Sequence, residues 1–410
     1  MKRWSVLAAG TLAVFGALGL GRFGYTALLP AMQGALLLDN TQAGALASVN
    51  LAGYLAMSVL GGALASRYGA RWVIALGLVV AGAGMLLTGT AEGFGTAALW
   101  RGVTGVGSGA ANVATMGLWA AWFTARRRGL AAGIAVTGSS LGLIFAGPLV
   151  PWLLATGAAA GWRTAWYLFG GVTLAIALIA LMVIRSRPEH ETVDLATAYG
   201  APAHGRGEGL RWGLVYRSGP VWHLGLVYST FGFAYIIFVT FFIKRLVAEG
   251  GYSRADAGAL FMTMGICSLA CGALWGAVSD RIGRRLALAA VFAIHAVAYA
   301  VFALWPTPAG FTLAAVLFGL AAWSIPAIMA ATCGDVLGPR LAPAALGFVT
   351  LFFGVGQALA PSVAGAMADR AGSFAPAYLL AAGVALLGAL GALTLRPPAP
   401  PAGEYPDHAP

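Results

Sequence analysis

The chain has 410 residues, of which 60% are hydrophobic and only 9% are charged. Because soluble domains carry about 25% charged residues, this composition excludes a soluble protein and requires lipid as the solvent for most of the chain. The net charge of +11 would suit a nucleic-acid-binding protein, but most basic residues lie in the connections between apolar runs, which excludes that class.

Twelve apolar segments follow one another along the chain. Each is long enough to cross the hydrocarbon core, which takes about 20 helical residues. Since a backbone in lipid must satisfy its own hydrogen bonds, the segments are predicted to be helices. We number them 1 to 12, and they span about 4–31, 42–66, 71–91, 94–123, 129–154, 164–184, 219–247, 254–279, 285–305, 308–336, 341–367 and 374–395. The predicted fold class is an all-α membrane protein with twelve transmembrane helices.

Segment 1 contains Arg22, a charge within a membrane segment, which is costly and usually functional. Arg22 follows Trp4 by 18 residues, or roughly 27 Å along a helix, which puts it beyond the membrane midplane. Tyr25 and Thr26 are predicted to share its face of the helix. Two interpretations stay open: Arg22 binds an anionic substrate, or its side chain extends to the outer headgroups.

Segments 2 and 8 are each followed by a basic loop, and the two loops are alike. Residues 62–71 have the sequence GALASRYGAR and residues 276–285 have GAVSDRIGRR, at an offset of 214 positions. The same offset relates Gly133 in segment 5 to Gly347 in segment 11. The chain is therefore predicted to consist of one six-helix unit that occurs twice.

Both loops resemble the loops between helices 2 and 3, and between helices 8 and 9, of the major facilitator superfamily (MFS) of transporters. The second loop matches the pattern G-x-x-x-D-R-x-G-R-R fully, whereas Ser66 replaces the acidic residue in the first. The resemblance covers about residues 4–395. It implies two six-helix bundles with a substrate site near the midplane between them. It also implies that Asp280 caps a neighbouring helix and holds the cytoplasmic side shut.

Segment 4 contains the sequence RGVTGVGSG at 101–109. It resembles the helix 4 signature R-x-x-x-G-x-G of the superfamily, in which the arginine is tied to the loop network and, in some members, to proton movement. The glycines favour close packing of this helix. The residues to which the resemblance gives a role in conformational gating are Ser66, Arg67, Arg71, Arg101, Asp280, Arg281 and Arg285.

The other candidates for substrate binding lie near the midpoints of their segments. Tyr228 and Tyr235 are seven residues apart and share one face of segment 7, and Trp323 lies in segment 10. Helices 1, 4, 7 and 10 line the cavity in the superfamily, so these rings would form an aromatic wall. The alternative is that aromatic residues at helical spacing serve packing. The predicted substrate-binding residues are Arg22, Tyr25, Tyr54, Asn112, Tyr228, Tyr235, Trp323 and Gln357.

The charged residues favour a small, carboxylate-like organic anion as substrate. Organophosphate antiporters of the superfamily carry a second arginine on helix 7, and the equivalent position here is Ile236. All 13 acidic residues lie in loops, the linker, the tail or helix ends, so coupling is predicted to need no dedicated carboxylate. The predicted function is secondary active transport of this anion by alternating access. The alternative is efflux of drugs or other amphiphiles, for which aromatic walls suffice.

The chain is predicted to have two domains joined by a polar linker. The boundaries are 1–184 and 219–396 for the six-helix bundles, 185–218 for the cytoplasmic linker and 397–410 for a disordered tail. With the N-terminus inside, 17 of the 24 basic residues are cytoplasmic and 5 are external. By the positive-inside rule, both termini are cytoplasmic, and the expected location is the bacterial inner membrane.

The sequence carries no enzyme, cofactor or metal signature. Cys267, Cys271 and Cys333 lie in apolar runs, their odd number gives no disulfide framework, and no histidine completes a metal site with them. The chain also lacks the phosphate-binding G-x-x-x-x-G-K-[ST] motif. A monomeric, non-enzymatic protein is therefore predicted, whose partners are the lipid bilayer and a small-molecule substrate.

Overall fold

The computed structural model describes residues 2–157, 160–186 and 213–395, and within these ranges it is helical without a strand. Segments 1 to 6 form the helices Lys2–Val14, Phe15–Phe23, Gly24–Ala35, Asn40–Tyr68, Ala70–Gly89, Phe94–Trp122, Ala125–Thr156 and Gly161–Val183. The second half contains Gly213–Tyr216, Gly219–Ala248, Arg254–Ser268, Cys271–Ile282, Arg284–Leu304, Pro308–Ala321, Ser324–Ala371 and Ala375–Leu393. The predicted all-α fold is confirmed.

Four segments depart from a simple helix. Segment 1 runs on without a gap but is π-helical over Phe15–Phe23. Segment 8 bends by 41° at the break between Arg254–Ser268 and Cys271–Ile282. Segment 10 begins as Pro308–Ala321 and continues from Ser324 into the helix that also forms segment 11. The predicted break between segments 10 and 11 is therefore not a break in the helical backbone.

The number of crossings agrees with twelve. Within the described ranges, nine helices are long and apolar enough to cross a membrane, or ten if the bent pair of segment 8 is one span. The helices of segments 2 and 4 have 29 residues each and are rich in Gly, Ser, Thr and Asn. With these two, all predicted segments are present. The predicted linker and tail fall on residues that are largely outside the described ranges, so the domain boundaries stay a prediction.

The two basic loops adopt the same backbone turn. Gly69 and Gly283 have φ angles of 88° and 87°, a region in which a Cβ is disfavoured. Each is the single residue between two helices. The two loops are thus equivalent in conformation as well as in sequence. We call the end of the bundle where they lie the motif end, and the other the opposite end.

Glycines in segment 4 allow the neighbouring helices to pack closely against it, as the sequence predicted. A Cβ at Gly105 would lie 1.9 Å from the carbonyl oxygen of Asn50 in segment 2. A Cβ at Gly107 would lie 2.3 Å from the backbone nitrogen of Ala81 in segment 3. Segment 4 is therefore packed backbone to backbone against two helices of its own half, which fixes the side chains that it carries.

The two halves meet closely toward the opposite end. Segment 5 contacts segment 8, and a Cβ at Gly147 would lie 2.4 Å from the carbonyl oxygen of Gly258. Segment 11 contacts segment 2, and a Cβ at Gly44 would lie 2.1 Å from the carbonyl oxygen of Pro361. Because Gly147 and Pro361 are 214 positions apart, the two contacts involve equivalent positions of the repeat.

Toward the motif end, the same two helix faces separate from the other half. Gly133 lies 14 residues, or about four turns, before Gly147 and therefore on the same face of segment 5. Gly347 has the same relation to Pro361 in segment 11. A Cβ at either glycine would meet no atom of the described residues within 4 Å. Along these two helix faces, the halves are thus in contact at the opposite end, whereas the glycines nearer the motif end have no such described contact.

Candidate functional site

The π-helical stretch of segment 1 positions Arg22. A π-helix disrupts the regular i to i−4 hydrogen bonds, and such stretches are frequent at functional sites. Here segment 4 binds two of the carbonyl groups: Arg101 Nη1 donates to Gly21 O over 2.6 Å, and Ser108 Oγ donates to Ala17 O over 2.8 Å. The backbone around Arg22 is therefore held in place by its neighbour in the same half.

Arg22 links the two halves near the middle of the protein. Its side chain is only 9% exposed. Nη1 donates to the hydroxyl of Tyr235 over 3.3 Å and to Gln357 Oε1 over 3.4 Å. The guanidinium carbon lies 4.3 Å from the ring centroid of Tyr54, a cation–π arrangement. Nε and Nη2 have no hydrogen-bond partner among the described residues.

Five of the eight predicted substrate-binding residues form one network, which we call the Arg22 network. Besides the contacts of Arg22, the Tyr235 hydroxyl donates to Gln357 Oε1 over 3.0 Å. Asn112 Nδ2 donates to the Tyr54 hydroxyl over 2.8 Å. Gln357 Nε2 and Asn112 Oδ1 are buried and, in the described part of the chain, without a partner. The network consists of Arg22, Tyr54, Asn112, Tyr235 and Gln357.

Aromatic rings continue the network into the second half. Tyr235 stacks on Phe231 with the ring centroids 4.8 Å apart. Tyr228 stacks on Phe353 with the centroids 4.6 Å apart, and Phe353 also lies parallel to Tyr235 at 5.8 Å. Tyr228 is therefore a packing partner of the rings that support Tyr235. Phe231 and Phe353 were not in the predicted set, although their spacing from the tyrosines and from Gln357 places them on the same faces.

Trp323 lies at the contact between the halves. Its ring centroid is 5.3 Å from that of Phe23 in segment 1 and 6.4 Å from that of Tyr235. Its Nε1 donates to Ser140 Oγ in segment 5 over 3.0 Å, and Ser268 of segment 8 donates to the same oxygen over 2.7 Å. Trp323 thus joins the Arg22 network to a polar contact between segments 5 and 8.

Tyr25 does not join the Arg22 network. Its hydroxyl donates to the carbonyl oxygen of Ala43 over 2.7 Å, and its ring lies 4.6 Å from the guanidinium carbon of Arg101. The expectation that it shares a face with Arg22 assumed a regular α-helix. The π-helical stretch that ends at Phe23 widens the helix and alters which side chains lie above one another.

Arg101 lies beside the Arg22 network and not beside the motif loops. The helix Phe94–Trp122 begins at the opposite end, and Arg101 is its eighth residue. The side chain is 1% exposed, and its guanidinium carbon lies 5.3 Å from the ring of Trp166. No carboxylate in the described ranges pairs with Arg101 or Arg22. Two buried cations therefore lie close to each other.

The loops at the motif end make contacts within their own halves. Asp280 pairs with Arg284, which also reaches Asp335 at 3.1 Å. Arg71 Nε donates to the carbonyl oxygen of Leu181 over 2.9 Å. Arg284 was missed by the sequence analysis, although it follows Asp280 at the i+4 spacing of a helical ion pair.

The remaining predicted gating residues of the two loops take no part in the contacts described above. Arg67 lies over the ring of its neighbour Tyr68 at 5.3 Å. Arg281 and Arg285 are exposed or partly exposed on the loop surface. The side chain of Ser66 lies outside the described part of the structure. The gating role of this set therefore stays a prediction.

A carboxylate at the opposite end joins the halves, and the sequence analysis missed it. Asp369, near the end of segment 11, accepts hydrogen bonds from the backbone nitrogens of Asn40 at 3.0 Å and Thr41 at 2.7 Å. It also accepts from the Thr41 hydroxyl at 2.5 Å. These groups begin the helix of segment 2, whose N-terminus attracts negative charge. We call this contact the Asp369 cap.

Comparison with known proteins identifies the family. Residues 14–393 match the family model described as "Uncharacterised MFS-type transporter YbfB". Among curated proteins, the chain is 26% identical to the probable sulfoacetate transporter SauU of Cupriavidus necator, over 88% of this chain and 86% of that protein. It is 25% identical to the hexuronate transporter of Bacillus subtilis, over 90% and 89%. It is 27% identical to human monocarboxylate transporter 11, over 84% and 72%.

Solved structures share the fold. A D-xylose–proton symporter superimposes with a TM-score of 0.75 at 16% identity, covering 97% of this chain and 99% of that one. A bacterial homologue of the human lysosomal transporter Spinster, in an inward-facing and unoccupied conformation, gives a TM-score of 0.72 at 17% identity. That match covers 96% of this chain and 95% of the other. The predicted architecture of two six-helix bundles is therefore confirmed.

Proposed function

The chain belongs to the family of MFS-type transporters whose model it matches over residues 14–393, and from this premise we propose that it carries a small organic anion by alternating access. Transport itself follows from the membership, and a transporter is not an enzyme. The proposal concerns the substrate class, the residues that bind it and the orientation of the protein. Its location is the bacterial inner membrane, which fits the bacterial relatives.

The proposal depends on one observation: Arg22 is buried and has no charged partner among the described residues. A guanidinium that is 9% exposed inside a membrane protein is costly unless an opposite charge compensates it. Its described partners, Tyr235, Gln357 and Tyr54, are all neutral. Two of its nitrogens are still available as donors. A carboxylate or sulfonate supplies the missing charge and accepts two parallel hydrogen bonds from the fork of an arginine.

The relatives support an organic anion. Three relatives are named as transporters of sulfoacetate, hexuronate and monocarboxylates. Each of these substrates carries an anionic head group. Efflux of drugs or other amphiphiles, the alternative from the sequence, has no comparable support. An unpaired cation at the centre of the protein also disfavours binding of another cation.

Alternating access is supported by the asymmetry between the two ends. The halves are in close contact at the opposite end and separate toward the motif end. Because the excess of basic residues places the motif end in the cytoplasm, we infer that the structure represents the inward-facing state. Arg22 belongs to the first half, whereas Tyr235 and Gln357 belong to the second. An anion bound by all three would pull the halves together and favour closure around it.

A single chain supplies every residue of the Arg22 network, from segments 1, 2, 4, 7 and 11. The proposed transporter therefore works as a monomer, with the bundles 1–184 and 219–396 as its moving parts. The polar linker between them would allow this motion.

The test is a thermal-shift measurement on the purified protein with sulfoacetate, a hexuronate, short monocarboxylates, neutral sugars and cationic drugs. We expect stabilisation by at least one anion in the wild type and none in Arg22→Gln. Arg163→Gln is the matched control, because Arg163 donates to the carbonyl oxygen of Gly89 away from the network. Stabilisation by cations alone, or an equal anion response in Arg22→Gln, would contradict the proposal.

A further inference from the structure

Together with Arg101, which lies beside it, the Arg22 network has more positive charge than a single organic monoanion can compensate. Arg101 is 1% exposed and donates to Gly21 O over 2.6 Å, the carbonyl of the residue directly before Arg22. Its other close contacts are the rings of Tyr25 and Trp166. These contacts are neutral, and the described ion pairs involve neither arginine. Two buried cations therefore lie together without a carboxylate from the described residues.

A small cavity joins the two arginines. Its wall contains both Arg22 and Arg101, together with residues of segments 1, 2 and 7. The other polar residues of the wall are Tyr25, Thr26, Asn50 and Thr240, and the rest is apolar. Arg22 Nε, Arg22 Nη2 and Arg101 Nε are buried and have no hydrogen-bond partner in the described ranges. The cavity thus combines two cations, several N–H and O–H donors and no acidic group.

The size of the cavity restricts its ligand. It has room for a guest of about the size of a water molecule, which is too little for a sugar acid or a sulfonate. Water would satisfy hydrogen bonds but would leave both charges uncompensated in a medium where uncompensated charge is costly. A monatomic anion provides both the hydrogen bonding and the compensating charge, because it accepts hydrogen bonds from N–H and O–H groups in any direction and is negative.

We propose that a small inorganic monovalent anion, with chloride as the reference case, binds in the cavity between Arg22 and Arg101. This ligand is distinct from the transported organic anion. Chloride accepts hydrogen bonds from Arg22 Nε and Arg101 Nε, whereas the proposed substrate accepts from the two η nitrogens of Arg22, beside Tyr235 and Gln357. Chloride therefore compensates Arg101, which the substrate leaves without a counter-charge. The proposal shares Arg22 with the proposed function but does not require that the protein transport any particular substrate.

The test is the melting temperature of the purified protein, measured without organic substrate at constant ionic strength. Gluconate, which is too large for the cavity, is replaced stepwise by chloride or bromide. We expect a saturable rise of the melting temperature for the wild type. In Arg101→Gln, the apparent affinity for chloride should fall about tenfold or more, since a charge-assisted contact is lost. Arg163→Gln should respond like the wild type.

A second measurement does not depend on how Arg101→Gln folds. Equilibrium binding of radiolabelled chloride to the wild type should saturate near one ion per chain, and bromide but not gluconate should displace it. The proposal is overturned if chloride neither binds nor stabilises the wild type. It is equally overturned if a well-folded Arg101→Gln responds like the wild type. Because organic anions are measured separately, failure of the chloride site leaves the proposed function untouched, and the reverse also holds.

Discussion

Removing the Asp369 cap should open the protein at the opposite end. The carboxylate of segment 11 holds the first turn of segment 2 through two backbone N–H groups and the Thr41 hydroxyl. These bonds cross from one half to the other, so they exist only when this end is closed. Losing these bonds therefore destabilises the state in which the opposite end is closed, relative to the state in which it is open. The fold of each half is not directly affected.

The magnitude follows from helix capping. Asp369→Asn keeps an acceptor but loses the charge, which is worth about 1 kcal/mol or less at an exposed helix N-terminus. Asp369→Ala also loses the acceptor, and a lost cap costs about 0.5–2 kcal/mol. Because 1.4 kcal/mol corresponds to about tenfold in an equilibrium, we expect the open population to rise up to about fivefold for Asn. For Ala the same conversion gives a rise between about twofold and about 30-fold, and we expect it to exceed that of Asn because the acceptor is lost as well.

The assay is labelling of a cysteine introduced at position 362 by a membrane-impermeant maleimide added from outside. Ser362 is suitable because its hydroxyl donates to Ser48 Oγ across the same contact at 2.9 Å. The native cysteines at 267, 271 and 333 are first replaced by serine. The labelling rate should rise in the order wild type, Asp369→Asn and Asp369→Ala, and the differences should shrink at high salt.

The matched control is Asp256→Asn. Asp256 is also an acidic residue in the first turn of a helix at this end, but its described hydrogen bonds are to Ser253 in its own half. Its replacement should leave the labelling rate unchanged. Equal rates for wild type and Asp369→Ala, or an equal rise with Asp256→Asn, would refute the assignment of the cap as a closure contact.

Three further predictions concern the network, the motif loop and the packing. Arg22→Lys should weaken anion binding about tenfold in the thermal-shift assay, because lysine lacks the bidentate fork; full binding would assign Arg22 a purely structural role. Asp280→Asn should shift the protein toward the inward-open state more than Ser66→Ala, as measured by cysteine accessibility from the cytoplasm, and equal effects would argue against charge-dependent gating. Gly105→Ala should destabilise the first half by about 1–3 kcal/mol, because the new Cβ would overlap the Asn50 carbonyl; an unchanged melting temperature would contradict this close contact.

The sequence by itself determined the class of the protein and most of its architecture. Lipid admits few structures, because every backbone N–H and C=O group must be bonded within the segment. The lengths of the apolar segments therefore predict where the helices lie. The repeat at an offset of 214 predicted the matched loops, whose glycines have φ angles of 88° and 87°. It also relates Gly147 to Pro361 at the contacts between the halves.

The sequence also singled out Arg22 and four of its neighbours, since a polar residue within an apolar segment is conspicuous. What it left open was the face on which each residue lies. In a membrane protein both the lipid-facing and the inward-facing sides of a helix are apolar, so hydrophobic periodicity is weak. The candidates Tyr25 and Tyr54 were equally plausible on this basis, and only Tyr54 contacts Arg22.

Only the tertiary structure decided which distant residues meet. Arg22 contacts Tyr235 and Gln357 across 213 and 335 positions, and Asp369 reaches Asn40 across 329. Such contacts depend on how two bundles pack, which no local pattern specifies. The position of Arg101 beside Arg22 has the same origin. It results from a π-helical stretch in segment 1 that presents the Gly21 carbonyl to the Arg101 side chain of segment 4.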